Sequence, residues 1–160
     1  MVRSPRTQRL LLALLAVCLV ASAASFAATA TGQFAWQQRD GLSFTATELS
    51  VVDGEEPTVE VAFSVRNPTG VPVTVRPASV GVFDGAATEA DSLAEAQSAR
   101  FAGDERSLRV PARGTAEATV VVDLAPGTVE RARAAIAADR AVVSGTMTAE
   151  LRDRRFSADV

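Results

Sequence analysis

The chain has 160 residues, 48% of them hydrophobic, and a formal net charge of −3. It contains no His, no Lys and no Tyr, and its single Cys is Cys18. These absences exclude a Ser-His-Asp triad, a Cys-His pair, an imidazole metal site, a lysine Schiff base and an internal disulfide, so we expect a protein that is not an enzyme and uses no cofactor or metal.

The chain begins with a basic segment that is followed by an apolar one. Residues 1–9 contain three arginines, residues 10–28 contain no charge, and the first acid is Asp40. As a helix, residues 10–28 would span about 28 Å, close to the ~30 Å hydrocarbon thickness of a bilayer. Positive charge on the leading side is typical of a cytoplasmic N-terminus. We therefore expect a single-pass signal anchor in the cell membrane, with the membrane as partner of residues 10–28 and the domain outside.

A cleaved secretory signal peptide is the alternative interpretation of the same segment. Its hydrophobic region would be Leu10–Val20, and cleavage would follow Ala21-Ser22-Ala23 or Ala28-Thr29-Ala30. The mature protein would then be secreted or periplasmic.

The part of the chain beyond the apolar segment is acidic. Residues 31–160 contain thirteen arginines and all nineteen acids, a net charge of −6. A domain of this charge without a basic stripe is not expected to bind nucleic acid. The acids at 53–56 and 84–91 lack the spacing of a known calcium loop, so we interpret them as solvated charge.

Residues 29–41 are predicted to form a spacer and the first strand region. Trp36 lies here, either at the membrane interface, which suits its amphipathic ring, or as the first core residue of the domain. The core position is favoured because strand-like sequence follows. From Leu42 onward apolar and polar residues alternate as in a strand, and the phase slips near Glu48, which indicates a β-bulge.

The clearest strand comes next and is followed by a turn. Residues 59–65 have Val or Phe at every second position, which is typical of a half-buried strand. Asn67, Pro68, Thr69 and Gly70 match the residue preferences of a type I turn. We predict that this turn is structural and that the Asn67 side chain bonds local backbone.

Pro72, Val73, Thr74 and Val75 begin the strand after this turn. Pro72 and Pro77 cannot donate a hydrogen bond to a neighbouring strand. We therefore predict that this strand lies on an edge or pairs on one side only, which makes residues 72–75 a candidate site for pairing with a strand of a partner protein.

The next segment, residues 84–105, is acidic and irregular, with one helical turn predicted around residues 92–99. A second structural turn is predicted from Pro111 to Gly114. Residues 116–124 then have small or apolar side chains on one face, as in a long strand.

The last elements are a helix and two strands. Thr128 is a candidate N-cap for a helix at Val129–Asp139. Strands are expected at 143–151 and 156–160. Seven or eight short strands with one late helix predict an all-β antiparallel sandwich over residues 42–160, with a barrel-like closure as the alternative.

Residues 61–75 (VAFSVRNPTGVPVTV) resemble the signature of the late embryogenesis abundant group 2 domain, which is also described as the water-stress and hypersensitive-response (WHy) domain. The family shows an alternating strand, an Asn-Pro turn and a β-branched strand. Residues 110–115 and the late helix with its following strand, which contains Gly145, resemble later parts of the family in the same order. The resemblance covers residues 42–160, and segment 84–105 is longer than the family's usual connection.

This resemblance implies an immunoglobulin-like or fibronectin-III-like β-sandwich with a non-catalytic protective or binding role, here on a membrane-anchored domain under desiccation or osmotic stress. Two alternatives remain open. The first is a structural or assembly subunit of the cell envelope that binds an envelope protein through the strand at 72–75. The second is a small-ligand-binding domain that uses the interior between its sheets.

Overall fold

The computed structural model describes residues 5–103 and 105–160, and the described chain contains two α-helices and eight β-strands. The elements are α1 Pro5–Gln37, β1 Ser43–Val52, β2 Thr58–Arg66, β3 Val73–Asp84, β4 Arg100–Phe101, β5 Leu108–Val110, β6 Thr115–Asp123, α2 Val129–Ala137, β7 Ala141–Leu151 and β8 Arg154–Asp159. Short 3₁₀ turns occupy Arg39–Gly41, Glu89–Asp91 and Ala96–Ser98.

The strands form two four-stranded antiparallel sheets. The first sheet has the order β1-β2-β6-β4, and the second has the order β5-β3-β7-β8. The prediction of a mostly antiparallel β-domain with one late helix is confirmed. The alternative of one closed barrel is wrong, because the strands pair within two separate sheets.

One hydrophobic core lies between the inward faces of the two sheets. It is built mainly from valines, and Val59, Val61, Val73 and Val75 are each 0% exposed. Burying a valine side chain fully stabilises a fold by about 1.5–3 kcal/mol. Because successive side chains of a strand point to opposite faces, the same strands present their polar residues to solvent.

Two β-bulges adjust the pairing within the sheets. The bulge expected near Glu48 is present, since the register of β1 against β2 shifts between Ala46 and Glu48. A second shift, between Pro77 and Ser79 of β3, lies beside Gly145 of β7. A Cβ at Gly145 would lie 2.0 Å from the Ser79 carbonyl oxygen, and its φ is +154°. Glycine is required for this close approach of the two backbones.

The strand predicted at a sheet edge lies in the interior of the second sheet. Residues 73–75 pair with residues 108–110 of β5 on one side and residues 149–151 of β7 on the other. Pro72 precedes the first residue of β3, and Pro77 lies at the bulge, so neither proline interrupts the ladder. The edge prediction for Pro72, Val73, Thr74 and Val75 is therefore wrong.

The spacer predicted for residues 29–41 is mostly helical. α1 continues through Gln37, and the 3₁₀ turn Arg39–Gly41 connects it to β1. The hydroxyls of Thr29 and Thr31 donate to carbonyl oxygens four residues earlier, so these polar side chains are satisfied within the helix. The helix therefore reaches the β-domain directly.

α1 exposes its apolar side chains from residue 11 to residue 27 and is long enough to cross a membrane. Its apolar part has a mean hydropathy of 2.4, and none of that part is buried. Leu14 and Val17 are 61% and 65% exposed. Removing such side chains from water is favourable, so this surface is suited to an apolar surrounding.

α2 connects the two sheets and begins at the predicted residue. Its buried side chains are Ala132 and Ala135. Thr128 occupies the N-cap position, but its hydroxyl lies 2.7 Å from the carbonyl oxygens of both Leu93 and Ala125, donates to one of them at a time and does not cap the helix. Thr128 therefore ties the long segment 84–105 to the start of α2.

Candidate functional site

Asn67 and Thr69, in the predicted first turn, are fully buried polar side chains. Nδ2 of Asn67 donates to the carbonyl oxygens of Val71 at 2.8 Å and Pro111 at 2.9 Å. Oδ1 of Asn67 accepts from the backbone N–H of Thr69 at 3.0 Å and from its hydroxyl at 2.8 Å. Among the described residues no buried side-chain N or O atom lacks a partner. The network therefore adds no unsatisfied group to the core.

This network joins the two sheets at one end of the domain. Asn67 follows β2 of the first sheet, and Pro111 follows β5 of the second sheet. The backbone N–H of Asn67 donates to Gly114 at 2.8 Å, and that of Arg113 donates to Thr69 at 2.9 Å. The two predicted turns thus form one bonded unit, which we call the turn latch (residues 67–71 and 110–114).

The geometry of each turn differs from the sequence expectation. No backbone hydrogen bond of the described residues joins the N–H of Gly70 to Asn67, so the Asn67 side chain closes the first turn in place of the type I bond. A Cβ at Gly70 would meet nothing within 4 Å, whereas a Cβ at Gly114 would lie 2.6 Å from Cγ of Pro111. Close packing therefore requires glycine at 114 but not at 70.

The end of α1 contacts the β-domain through one helical stripe. One face of α1 carries residues at positions i, i+3, i+4 and i+7, namely Thr29, Gly32, Gln33 and Trp36. Together with the β7–β8 hairpin they line a surface depression of ≈ 250 Å³. Trp36 meets Phe156 of β8 edge to face, with ring centroids 5.7 Å apart and an interplanar angle of 85°. This geometry is a favourable aromatic pair.

Arginines surround Trp36 at this junction. Cζ of Arg39 lies 4.7 Å from the ring centroid and Cζ of Arg154 lies 5.3 Å from it, both within cation–π range. The guanidinium of Arg152 lies against Gly32, where a Cβ would be only 2.6 Å from Nη1. Trp36 is half-buried. It therefore lies at the contact between α1 and β8, where it covers the edge of the domain.

The ionisable groups form surface ion pairs. Arg100 and Asp123 are 2.7 Å apart, with side chains 54% and 35% exposed. Arg133 pairs with both Asp53 and Glu130. Exposed pairs of this kind contribute about 0–1 kcal/mol. Within the described ranges no group of three or more acids or cysteines could hold a metal ion.

Four surface depressions beside the described part of the domain have volumes of ≈ 250 to ≈ 360 Å³. Their linings come from loops, sheet edges and outward faces, while the valines between the sheets are fully buried. These features are suited to binding at the surface of the domain.

The fold and the junction define a two-sheet antiparallel β-domain preceded by an N-terminal apolar helix. No family model matches the chain, and no curated protein matches it. Among solved structures, the chain is similar to a protein from Archaeoglobus fulgidus, with 17% sequence identity and a TM-score of 0.42 over 74% of this chain and 94% of that chain.

Sequence reasoning identified Asn67 and its turn but did not identify the contacts of Trp36. Phe156, Arg152 and Arg154 come much later in the chain, and no periodic pattern links them to the helix. A local pattern that could have indicated this contact surface is the run Arg-Asp-Arg-Arg-Phe at 152–156, where several charged residues precede an aromatic residue.

Proposed function

We propose that the protein is a membrane-anchored, extracytoplasmic domain of the LEA group 2/WHy kind, with an immunoglobulin-like sandwich and a non-catalytic protective or binding role in desiccation or osmotic stress. The proposal rests on one observation: α1 is unbroken and apolar, and its end contacts β8 through Trp36. A retained helix of this kind holds the domain directly at the membrane surface.

Retention of α1 is tested by the intact mass of the native protein. A retained helix gives the full 16.6 kDa in a membrane fraction that survives an alkaline carbonate wash. A lighter soluble species that lacks the residues up to Ala23 or Ala30 would show cleavage and exclude the anchor.

The outward surface of the domain supports the protective role. The positions of the first sheet that face away from the core include Thr45, Ser50, Glu60, Ser64 and Thr119. Hydroxyl and carboxylate oxygens accept hydrogen bonds from water. A folded domain with such a surface keeps a hydrated layer next to the membrane.

Drying experiments test protection directly. A reporter enzyme is dried and rehydrated with the full chain in nanodiscs, with empty nanodiscs, or with an equal mass of albumin. We expect the reporter to retain more activity with the full chain than with either control. Equal losses in all three samples would contradict the protective role.

A second candidate is a structural or assembly subunit of the envelope, and the position of β1 favours it. β1 has ten residues and lies at an edge of the first sheet, where the outer backbone groups of a strand are free to pair with another chain. The segment 72–75 is not suited to this role because β3 is interior. The valine-filled interior gives no comparable support to small-ligand binding.

Variants separate the assembly role from the protective role. If an envelope protein co-purifies in stoichiometric amount, Ser50→Lys on β1 is expected to release it, because an edge lysine opposes strand addition. Ser64→Lys on β2, an inner strand of the same sheet, is the matched control and should retain the partner. Loss with both variants, or with neither, would contradict strand addition at β1.

A further inference from the structure

The charges of the β-domain are segregated between its two ends. The end that contacts α1 consists of residues 38–42, 66–72, 111–114 and 152–154. It contains five arginines and two aspartates, namely Arg39, Arg66, Arg113, Arg152, Arg154, Asp40 and Asp153. We call it the basic end. The opposite end, residues 53–57, 84–100 and 123–140, contains ten acids and four arginines.

Strand pairing brings the arginines of the basic end together from distant parts of the chain. Arg66 ends β2 between Ser43 of β1 and Thr115 of β6. The backbone of Arg113 donates to Thr69 within the turn latch. The Pro68 ring packs on Gly41, where a Cβ would be 3.1 Å from its Cγ. The turn latch therefore lies beside the end of α1, as do Arg152 and Arg154.

Four of the five arginines of the basic end are available to an external anion, whereas Arg39 pairs with Asp40 at 3.4 Å. Arg66, Arg113, Arg152 and Arg154 are exposed. Within residues 5–103 and 105–160, none of these four forms an ion pair or donates a side-chain hydrogen bond.

Arginines at the acidic end are instead engaged with the protein. Arg100 pairs with Asp123, and Arg140 pairs with Asp84. Arg131 donates to the carbonyl oxygen of Ser92 at 2.8 Å. The two ends therefore differ in net charge and also in whether their arginines are already bonded to other groups of the protein.

We infer that the basic end binds the anionic phospholipid headgroups of the leaflet through which α1 leaves the membrane. The inference rests on the proposed anchoring of α1. If residues 10–28 span the hydrocarbon, Gly32 lies about 6 Å beyond it along the helix, within the headgroup layer. The guanidinium of Arg152 contacts Gly32 and so lies at the level of the phosphates.

Charge complementarity makes the bilayer surface a suitable partner for this end. Each arginine near an anionic surface raises the binding constant for that surface by about fivefold, and the attraction falls off within a Debye length. The acidic end is repelled by the same surface. The domain therefore stands on the membrane in one orientation, with the acidic end directed outward.

The test uses the full chain in vesicles of phosphatidylcholine alone or mixed equally with phosphatidylglycerol. Cys18→Ala removes the native thiol, and Ala112→Cys, in the exposed second turn, takes a fluorescent dye. Quenching by a lipid with a nitroxide headgroup reports how close the basic end lies to the bilayer. We expect stronger quenching in the anionic vesicles. The difference should disappear when salt rises from about 0.01 M to about 1 M, since the Debye length shortens from about 30 to about 3 Å.

Charge reversal identifies the residues responsible. Arg66→Glu with Arg113→Glu should lower the equilibrium constant for docking by at least about 25-fold, from two contributions of about fivefold each, and so abolish the lipid-dependent difference. Arg76→Glu with Arg106→Glu changes two exposed arginines outside the basic end and is the matched control. This double variant should retain the lipid-dependent difference in quenching. Equal quenching in both lipids, or equal loss with both double variants, would overturn the inference.

Vesicle flotation separates this inference from the proposed anchor. Chains that float with vesicles after a carbonate wash but show no lipid-dependent quenching overturn lipid binding and leave the anchor intact. Chains that do not float overturn both.

Discussion

At the scale of single residues, Asn67 shows how one side chain connects two sheets. Its amide donates to carbonyls of the turns that precede β3 and follow β5, and its oxygen accepts from Thr69. A hydroxyl has one proton, so the Thr69 hydroxyl donates to one acceptor at a time, Asn67 or Val71. The Asn67 amide therefore provides the fixed side-chain bonds of the turn latch, beside three backbone bonds.

Replacing Asn67 should destabilise the domain strongly. Asn67→Ala leaves the buried N–H of Thr69 without its partner and removes the amide bonds to the carbonyls of Val71 and Pro111. An unsatisfied buried group costs about 1–3 kcal/mol, and each lost bond adds to this cost. We expect the free energy of unfolding to fall by about 2–4 kcal/mol in urea titrations. Thr45→Ala, on the exposed outer face, should change it by no more than about 0.5 kcal/mol. Similar values for the two variants would contradict the role of the turn latch.

Two glycines provide a second comparison at this scale. Gly145→Ala would place a Cβ against the Ser79 carbonyl and should cost at least about 3 kcal/mol, or prevent folding, because two backbones must separate. Gly70→Ala meets open space and should be neutral or stabilising by up to about 1 kcal/mol. Thermal unfolding followed by circular dichroism measures both. A stable Gly145→Ala protein would show that the bulge can relax.

At the scale of elements, segment 84–105 is held in place by Leu93. The Leu93 side chain is 0% exposed. Its N–H donates to Val82 at 2.8 Å, and its carbonyl accepts from Ala125 at 3.0 Å and from the Thr128 hydroxyl at 2.7 Å. Leu93 is the largest fully buried side chain of this acidic and irregular segment, which also buries Ala94 and Phe101 and bonds to Asp123 through the N–H of Glu95.

Truncating Leu93 should release this segment. Leu93→Ala is expected to lower the free energy of unfolding by about 2–5 kcal/mol, the usual cost of removing a buried leucine. Exchange of the Ala125 amide hydrogen should accelerate. Leu108→Ala, at a half-buried leucine of β5, should cost less and leave that amide protected. Unchanged exchange at Ala125 in Leu93→Ala would show that the Leu93 side chain does not hold this part of the segment in place.

At the scale of the whole molecule, the junction between α1 and β8 determines the position of the β-domain on the end of the helix. Trp36 is the single Trp and the chain has no Tyr, so its fluorescence reports this junction alone. The contact joins Trp36 to Phe156 and to two arginines. An aromatic pair of this kind contributes about 0.5–1.5 kcal/mol beyond its buried area.

Opening the contact between α1 and β8 should change the fluorescence emission of Trp36 while the β-domain remains folded. Phe156→Ala removes the edge-to-face partner, so we expect a red shift of Trp36 emission in the native protein. Phe101→Ala, a core substitution in the first sheet, should lower stability and leave native emission unchanged. Identical native spectra for wild type and Phe156→Ala would show that the pair does not hold α1 on the domain.

The local patterns of this sequence determined its elements. The two-residue alternation of 59–65, the slip near Glu48, the start of α2 and the bonding of the Asn67 side chain to nearby backbone all follow from interactions between residues close in the chain. The apolar run alone predicts α1. The small residues at 29–32 led to the prediction of a spacer, whereas the helix continues to Gln37.

Tertiary structure alone decided which strands are neighbours and which side chains meet. β3 lies inside its sheet because β5 and β7 pair on both of its sides, and prolines at its start and at a bulge do not prevent this. The contact of Trp36 with Phe156 and the separation of charge into two ends also come from long-range pairing. Alternation gives each strand its inward face but does not specify its partner, because valine faces pack on one another without strong preference.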